Sequence, residues 1–347
     1  MTVQILLSSS PGESRFARIE DGQVVAIRVQ RDSGGPFVGA VYLGRVVRLE
    51  SGIGGAFVEI GLEQPGFLNL GKRRLAEGEA CLVRVKADPY GGKGARLSLD
   101  VPKELAIPPG AKPPMRLVAP DNPLAELQTR GVADEIIEAS LAAKDDPFDR
   151  LGAAEALEEA QSPLVPLPSG GRLLIERTSA LWAIDVDTGA QKGPDAKFRA
   201  NLEAAGAAAR QIRLRNLGGR ILIDFAGLPR NRLGKVLVVL KDALHKDEVP
   251  VHLGGITPLG LVELARERRS ACLADLFASP EALAYEGVRK ALALVRATPS
   301  ARPRLLLPAQ VMALLKGPLA GVLGETETRL GHPLTLEIGE KLEILDR

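Results

Sequence analysis

The chain has 347 residues, 45% apolar and 25% charged, with 37 Gly, 25 Pro and a formal net charge of +2. That balance excludes disorder as the general state and leaves room for about two or three cores without disulfide support. Cys81 and Cys272 each stand alone, so neither a CxxC redox pair nor a four-thiolate zinc site can form within the chain, and a reducing compartment is expected. No apolar run reaches the roughly 18 residues of a spanning helix, and Met1 to Ser10 lacks a basic n-region and a small-residue cleavage site. Neither a membrane span nor a secretory signal is expected, and a cytoplasmic location follows.

The first hundred or so residues are short apolar runs, Val3–Leu7, Val24–Val29, Val41–Leu49, Gly55–Ile60 and Cys81–Val85, broken by Gly-rich joints at 51–55 and 91–94. Turns at that spacing predict a small OB-type β-barrel rather than an open sheet. The Pro-rich stretch 107–120 reads as a linker. Residues 123–160 look helical and acidic, with nine acids against two bases from 134 to 159. The pattern then becomes strand, helix, strand, helix through 172–177, 181–186, 198–217, 220–225, 232–246, 250–253 and 258–269, which predicts an α/β sheet. In the helix from Phe198, the apolar positions Phe198, Leu202, Ala205, Ala209 and Ile212 make one stripe toward the sheet and leave the arginines outside. A helix from Ser279, apolar runs at 304–307 and 334–338, and residues 311–323 between them predict a small terminal α/β unit.

Two apolar strands reach an acid near their carboxyl ends, Leu181-Trp182-Ala183-Ile184-Asp185-Val186-Asp187 and Arg220-Ile221-Leu222-Ile223-Asp224-Phe225. Continuous apolar runs read as strands buried on both faces, where an aspartate is desolvated unless neutralised. If the strands are neighbours, Asp185 and Asp224 converge and need a shared proton or a cation. Magnesium suits hard oxygen ligands with no nearby Cys or His. The competing reading makes both acids caps or turn formers, as Asp187-Thr188-Gly189 is a good turn. From 196 to 241 ten basic residues face two acidic ones, which suits a polyanionic substrate, and phosphodiester cleavage assisted by a metal uses both features. Phe57 and Phe67 on the barrel, with Arg45, Arg48, Lys72, Arg73, Arg74 and Lys93 nearby, either form a stacking platform for single-stranded nucleic acid or fill the barrel core. Trp182 reads as packing. His245, His252 and His332 are dispersed and read as bystanders. No Ser-His-Asp elbow, phosphate loop or dinucleotide fingerprint is present, and glycoside-type hydrolysis lacks a separate general acid.

These motifs resemble, in order along most of the chain, the catalytic half of the bacterial ribonuclease E/G family. Val41-Tyr42-Leu43-Gly44-Arg45-Val46, Ala56-Phe57-Val58-Glu59 and Gly66-Phe67-Leu68 are similar to its RNA-binding OB barrel. Leu167-Pro168-Ser169-Gly170-Gly171, Thr178-Ser179-Ala180-Leu181, Ala183-Ile184-Asp185-Val186-Asp187, Asn201-Leu202-Glu203-Ala204-Ala205, the run Arg210 to Gly219 and Ile223-Asp224-Phe225 are similar to its nuclease domain. The resemblance implies N-terminal strands in 1–36 pairing with 121–165 as an RNase H-like part, an OB-fold RNA-binding domain at 37–104, a linker at 105–120, an α/β nuclease domain at 166–270 and a small C-terminal domain at 271–347. It implies a magnesium-dependent endoribonuclease cutting single-stranded RNA, with manganese able to replace magnesium. Asp185 and Asp224 would hold the metal, Asp187 would orient the attacking water, and Phe57, Phe67, Lys93, Arg213 and Arg215 would bind RNA. The alternative is a non-catalytic RNA-binding protein of the same descent.

Four departures from the family pattern stand out. Asp187 replaces the usual Asn. No further acid follows Asp224 in Phe225-Ala226-Gly227-Leu228. The segment before Ala133, with Lys112, Arg116 and Arg130 scattered among prolines, is too short for the family's sensor of RNA 5′-monophosphate. Cys272 stands without the paired cysteine of the family's zinc link. A monomer or homodimer without zinc is expected, not a zinc-linked tetramer.

Overall fold

A computed structural model describes residues 2–32, 34–35, 37–128, 133–139, 146–189 and 195–346; Arg130 lies outside them. They divide into two compact units, one of Met1–Ser33, Leu127–Glu267 and Cys272–Arg347, the other of Gly34–Glu126 and Arg268–Ala271. In chain order the strands β1 (Val3–Ser10), β2 (Glu13–Glu20) and β3 (Gln23–Arg31) come first, then β4 (Val41–Glu50), β5 (Gly55–Glu59), β6 (Gly66–Asn69), β7 (Ala80–Ala87), β8 (Arg96–Ser98) and β9 (Met115–Val118). There follow α1 (Pro123–Gln128), β10 (Glu135–Glu138), α2 (Pro147–Arg150), α3 (Ala153–Gln161), β11 (Leu164–Pro166), β12 (Arg172–Arg177), β13 (Trp182–Asp187), α4 (Ala196–Leu214) and β14 (Gly219–Asp224). The chain continues through α5 (Arg230–Leu244), β15 (Val251–Ile256), β16 (Val262–Arg266), α6 (Leu273–Phe277), α7 (Pro280–Ala297), β17 (Pro303–Leu307), α8 (Ala309–Lys316), α9 (Ala320–Leu330), β18 (Thr335–Ile338) and β19 (Glu343–Asp346).

In the barrel unit the strand order is β5-β6-β8-β7-β4-β9, and β5 also pairs with β4, so five strands close on themselves. Period-two alternation sends Ala56, Val58, Leu68, Val83, Val85 and Leu97 inward to one core. β9 lies inside the Pro-rich stretch expected as linker: Met115-Arg116-Leu117-Val118 is free of proline, keeps its amide donors and pairs antiparallel to β4.

The other unit holds three sheets. In the first, ordered β10-β1-β2-β3, β10 runs parallel to β1 from Gln4↔Glu135 to Leu7↔Glu138. The segment 123–160, expected to be helical, therefore contains a strand. The second sheet has the order β11-β12-β13-β14-β16-β15, with β13–β14 parallel and its other pairings antiparallel. Residues 258–269, in a helical place of the expected alternation, supply β16 instead, whose Val262 and Leu264 alternate inward. In the third sheet β17 lies between β18 and β19, and Gly317-Pro318 breaks the run 311–323 into α8 and α9.

Helices cover one face of the second sheet. Ile184, Val186, Ile221, Ile223, Val262 and Leu264 pack on Ala205, Ala209 and Ile212 of α4 and Leu233, Val236 and Leu240 of α5. The apolar stripe of α4 is as expected, but its arginines are not outside. Arg213 and Arg215 are buried, because the opposite side of α4 meets β3 and Leu214 joins the core of the first sheet. Arg213 donates from Nε to Glu248 Oε2 at 2.9 Å and from Nη2 to Glu20 Oε1 at 2.8 Å. Arg215 donates to Gln211 Oε1 at 2.7 Å and to the Glu159 carbonyl at 3.0 Å. Burial works to raise the Glu20 carboxyl, and hydrogen bonds from Arg213 and Arg18 outweigh it, holding that carboxyl below its ordinary range.

Glu248→Gln removes a fully buried charge from the Arg213 pair, and urea unfolding is expected to register a loss of about 3–5 kcal/mol. In the barrel unit, burial first and Glu126 in addition raise Asp88 to about 6, against the backbone donors of Phe37 and Val38. The folded state thus prefers the protonated acid: the contribution is fully present below the unfolded value near 4 and is lost as pH rises through about 6. Asp88→Asn keeps the acceptor for the Phe37 amide, 2.8 Å away, and is expected to stabilise the barrel by about 3 kcal/mol at pH 8. Melting scans of both proteins from pH 4 to pH 8 should show the gap closing toward the acid end.

Candidate functional site

Asp185 and Asp224 are cross-strand partners on the parallel pair β13–β14, on strands spaced about 4.8 Å apart. Both are exposed. With Ile184, Val186, Ile221 and Ile223 turned to the helices, strict alternation sends Ala183, Asp185 and Asp187 on β13 and Arg220, Leu222 and Asp224 on β14 to the open face. The expectation of strands buried on both faces is corrected here: helices cover one side of this mixed sheet, so neither aspartate is desolvated. Among the described residues neither side chain takes part in a hydrogen bond or ion pair, so the cap reading does not describe them, and four carboxylate oxygens are left to a ligand.

Asp187 is a turn former. Its Oδ1 accepts from the Gly189 amide at 2.9 Å and its Oδ2 pairs with Arg172 Nη2 at 3.1 Å, Arg172 being its cross-strand partner on β12. Among the described residues no group of three or more His, Cys, Asp or Glu is arranged to hold a metal ion. Magnesium commonly takes only one or two carboxylates and completes its octahedron with water and substrate phosphate, and the pair Asp185 and Asp224 fits that donor set.

The helices that follow the two strands start at the strands' carboxyl ends. Arg232 pairs with Asp195 just before α4 and lies over the Phe198 ring at 5.4 Å, which ties the start of α5 to the start of α4. Lys197, Arg199 and Arg230 in these first turns are exposed. Asn201, fully buried, donates from Nδ2 to the Ala226 carbonyl at 2.9 Å and to the Lys197 carbonyl at 2.8 Å; it holds the turn after Asp224. Sequence reasoning missed its role, although a polar residue inside a stretch of buried alanines is a readable signal.

Phe57 and Phe67 are partners on β5 and β6, with ring centroids 5.7 Å apart at 65°. Neither fills the barrel core: both sit half-exposed on the outer side of strands whose Ala56, Val58 and Leu68 point inward. A Cβ at Gly55 would lie 2.4 Å from Phe67 Cζ, so the glycine makes room for that ring. Lys93 is exposed at the end of a turn closed by reciprocal Tyr90 and Lys93 backbone bonds, with Gly91 and Gly92 at φ 58° and 74°. The Phe67 amide bonds the Ala95 carbonyl at 2.7 Å, joining this turn to the aromatic pair. Arg213 and Arg215, buried and engaged as described, present no surface to RNA. His245 and His252, read as dispersed, line a common pocket of about 260 Å³ with Lys241.

Residues 126–269 match the Ribonuclease E/G family. Ribonuclease G of Salmonella typhimurium (strain SL1344) and of Escherichia coli (strain K12) are each 26% identical to the chain over 475 residues, spanning 97% of it and 97% of the relative. That alignment is longer than the chain, so the relatives carry segments with no counterpart here. Ribonuclease E of Nostoc sp. (strain PCC 7120) is 41% identical over 128 residues, 35% of this chain and 18% of that protein.

Gly55→Ala is expected to tip the Phe67 ring and, as overpacking, to lower barrel stability by about 1–3 kcal/mol. Thermal unfolding together with the ring-current shifts of nearby methyl resonances would measure both effects, and unchanged shifts would contradict the contact.

Proposed function

We propose that the chain is a member of the Ribonuclease E/G family and a magnesium-dependent endoribonuclease that cleaves single-stranded RNA, acting in RNA processing or decay. The observation that carries the reading is the register pair Asp185 and Asp224: two adjacent carboxylates, exposed and without protein partners among the described residues, on the open face of the sheet. Asp185 and Asp224 would hold magnesium, or manganese in its place, which would supply Lewis-acid chemistry to the phosphodiester and to the attacking water. Asp187, kept in place by Arg172 and the Gly189 amide, borders the pair and orients the attacking water. The cationic first turns of α4 and α5 and their helix N-termini attract the phosphate chain and offset charge that develops on its oxygens. On the barrel, Phe57 and Phe67 form the aromatic platform over which bases stack, and Lys93 contacts phosphate.

In this reading residues 37–104 are the RNA-binding barrel, 166–270 the catalytic domain and 271–347 a small terminal domain. Cys81 and Cys272 are both buried, and one thiolate near residue 272 offers too few ligands for a tetrahedral zinc link even across a two-fold axis. The proposal therefore includes assembly as a monomer or homodimer that does not respond to zinc chelation. The segment after the barrel, with Lys112, Arg116 and Arg130 scattered among prolines, is too short to build a pocket that closes on a 5′-monophosphate, so RNAs with 5′-monophosphate and 5′-triphosphate ends are cut at similar rates.

The test is one labelled single-stranded RNA incubated with magnesium, with manganese and with chelator, using the wild-type chain, Asp185→Asn and Asp224→Asn. Cleavage by the wild type that needs the divalent ion, and that each substitution reduces by at least about a hundredfold with binding kept within about threefold, is the expected outcome. Cleavage by either variant at the wild-type rate in limiting magnesium would refute the metal site. Tight binding without cleavage at any metal concentration would favour the non-catalytic alternative.

A further inference from the structure

Arg48 sits on β4 next to the aromatic pair, and its place there results from a local irregularity. The β4–β5 register runs Arg45↔Glu59 and Val46↔Val58 and then jumps to Arg48↔Phe57, so Val47 is an extra residue. Without that bulge, alternation would put Arg48 on the same side as Val46, which is in the barrel core. With it, Arg48 emerges on the outer side with Phe57. Its guanidinium carbon lies 4.5 Å from the centre of the Phe57 ring, close enough for a stacked cation–π contact.

The arrangement is a ladder across three strands, Arg48 on β4, Phe57 on β5 and Phe67 on β6, each touching the next. One face of Phe57 is therefore covered by the guanidinium. The Arg48 side chain is 63% exposed, and its ion pair among the described residues, to Glu50 at 3.8 Å, is long and solvated, so it does not lock the guanidinium. The guanidinium lies over one side of the ring and is otherwise open to solvent, and nucleobases stack on guanidinium planes as well as on aromatic ones.

We infer that Arg48 is a base-stacking residue of the RNA platform: one nucleobase stacks on the outer face of its guanidinium, with Phe57 as the backing plane, rather than directly on Phe57. The inference rests on the reading of the barrel as a binder of single-stranded RNA. Lysine at this position keeps the charge but has no plane, so charge and stacking can be separated.

The experiment is fluorescence anisotropy of a labelled single-stranded oligoadenylate in chelator, which permits binding without cleavage, with the full-length chain. Arg48→Lys is expected to weaken binding about tenfold, with the slope of affinity against salt unchanged because no charge is lost. The loss should vanish on an oligonucleotide of the same length with abasic sugars, a result that a merely structural role for Arg48 would not give. Arg48→Lys combined with Phe57→Ala should bind no more weakly than Phe57→Ala alone. A wild-type chain that binds while Arg48→Lys binds equally well, or loses the same factor on abasic RNA, overturns this inference alone. A wild-type chain that does not bind RNA overturns the reading on which it rests, and the inference with it.

Discussion

Helix α4 is the element on which the larger unit depends, because it is buried on two sides at once. Its alanines and Ile212 pack on the six-stranded sheet, and its far side meets the first sheet, where Leu214 joins a second core. A helix in that position cannot be apolar all round without losing the information that orients it. The polar contacts that remain, Arg213 with Glu248 and Glu20 and Arg210 with Glu159 at 2.8 Å, are buried or half-buried and directional. Such pairs contribute little net stability over apolar replacements, since both charges lose water, but breaking one partner leaves an uncompensated charge. They fix the rotation of α4, and that rotation determines which residues of β13 and β14 the helix covers.

From that constraint the open face follows. α4 and α5 cover Ile184, Val186, Ile221 and Ile223, and period-two alternation leaves Asp185 and Asp224 on the other side with no choice of orientation. A slip of one residue in β14 would turn Asp224 toward the face that the helices cover. Asn201, also on α4, acts on the same edge by holding the Ala226 carbonyl. One helix thus aligns the strand that carries an aspartate and restrains the turn beyond it.

Much of this was legible in the sequence. The acids at the ends of two apolar runs were readable, and so was the alternation Ala183, Asp185, Asp187 against Ile184 and Val186, although the runs were apolar enough to suggest burial on both faces. The barrel was legible from turn spacing alone. Three other features were not. Glu135-Ile136-Ile137-Glu138 is too short and too acidic to announce a strand; it forms because β1 offers a free edge far away in sequence. Arg213 and Arg215 look solvated because nothing local marks a helix covered on both sides, and their partners Glu20, Glu248 and Glu159 are 193, 35 and 56 residues away. The outward position of Arg48 depends on a bulge that no residue in Val46-Val47-Arg48 signals.

Electrostatics decide what the adjacent aspartates can do. Two carboxylates on neighbouring strands repel, and in a buried site one would hold a proton and cease to be a ligand. Exposure changes the setting: both side chains are open to solvent, which screens the repulsion between them. The starts of α4 and α5, with Lys197, Arg199 and Arg230, add a favourable field from one side. The same exposure sets a limit. A cation held by two solvated carboxylates, with Asp187 engaged by Arg172, would be bound weakly by the protein alone and would take its remaining ligands from water or from a phosphate beside it. Occupancy of such a site would rise with any polyanion bound beside it, because each phosphate oxygen that reaches the cation replaces a water.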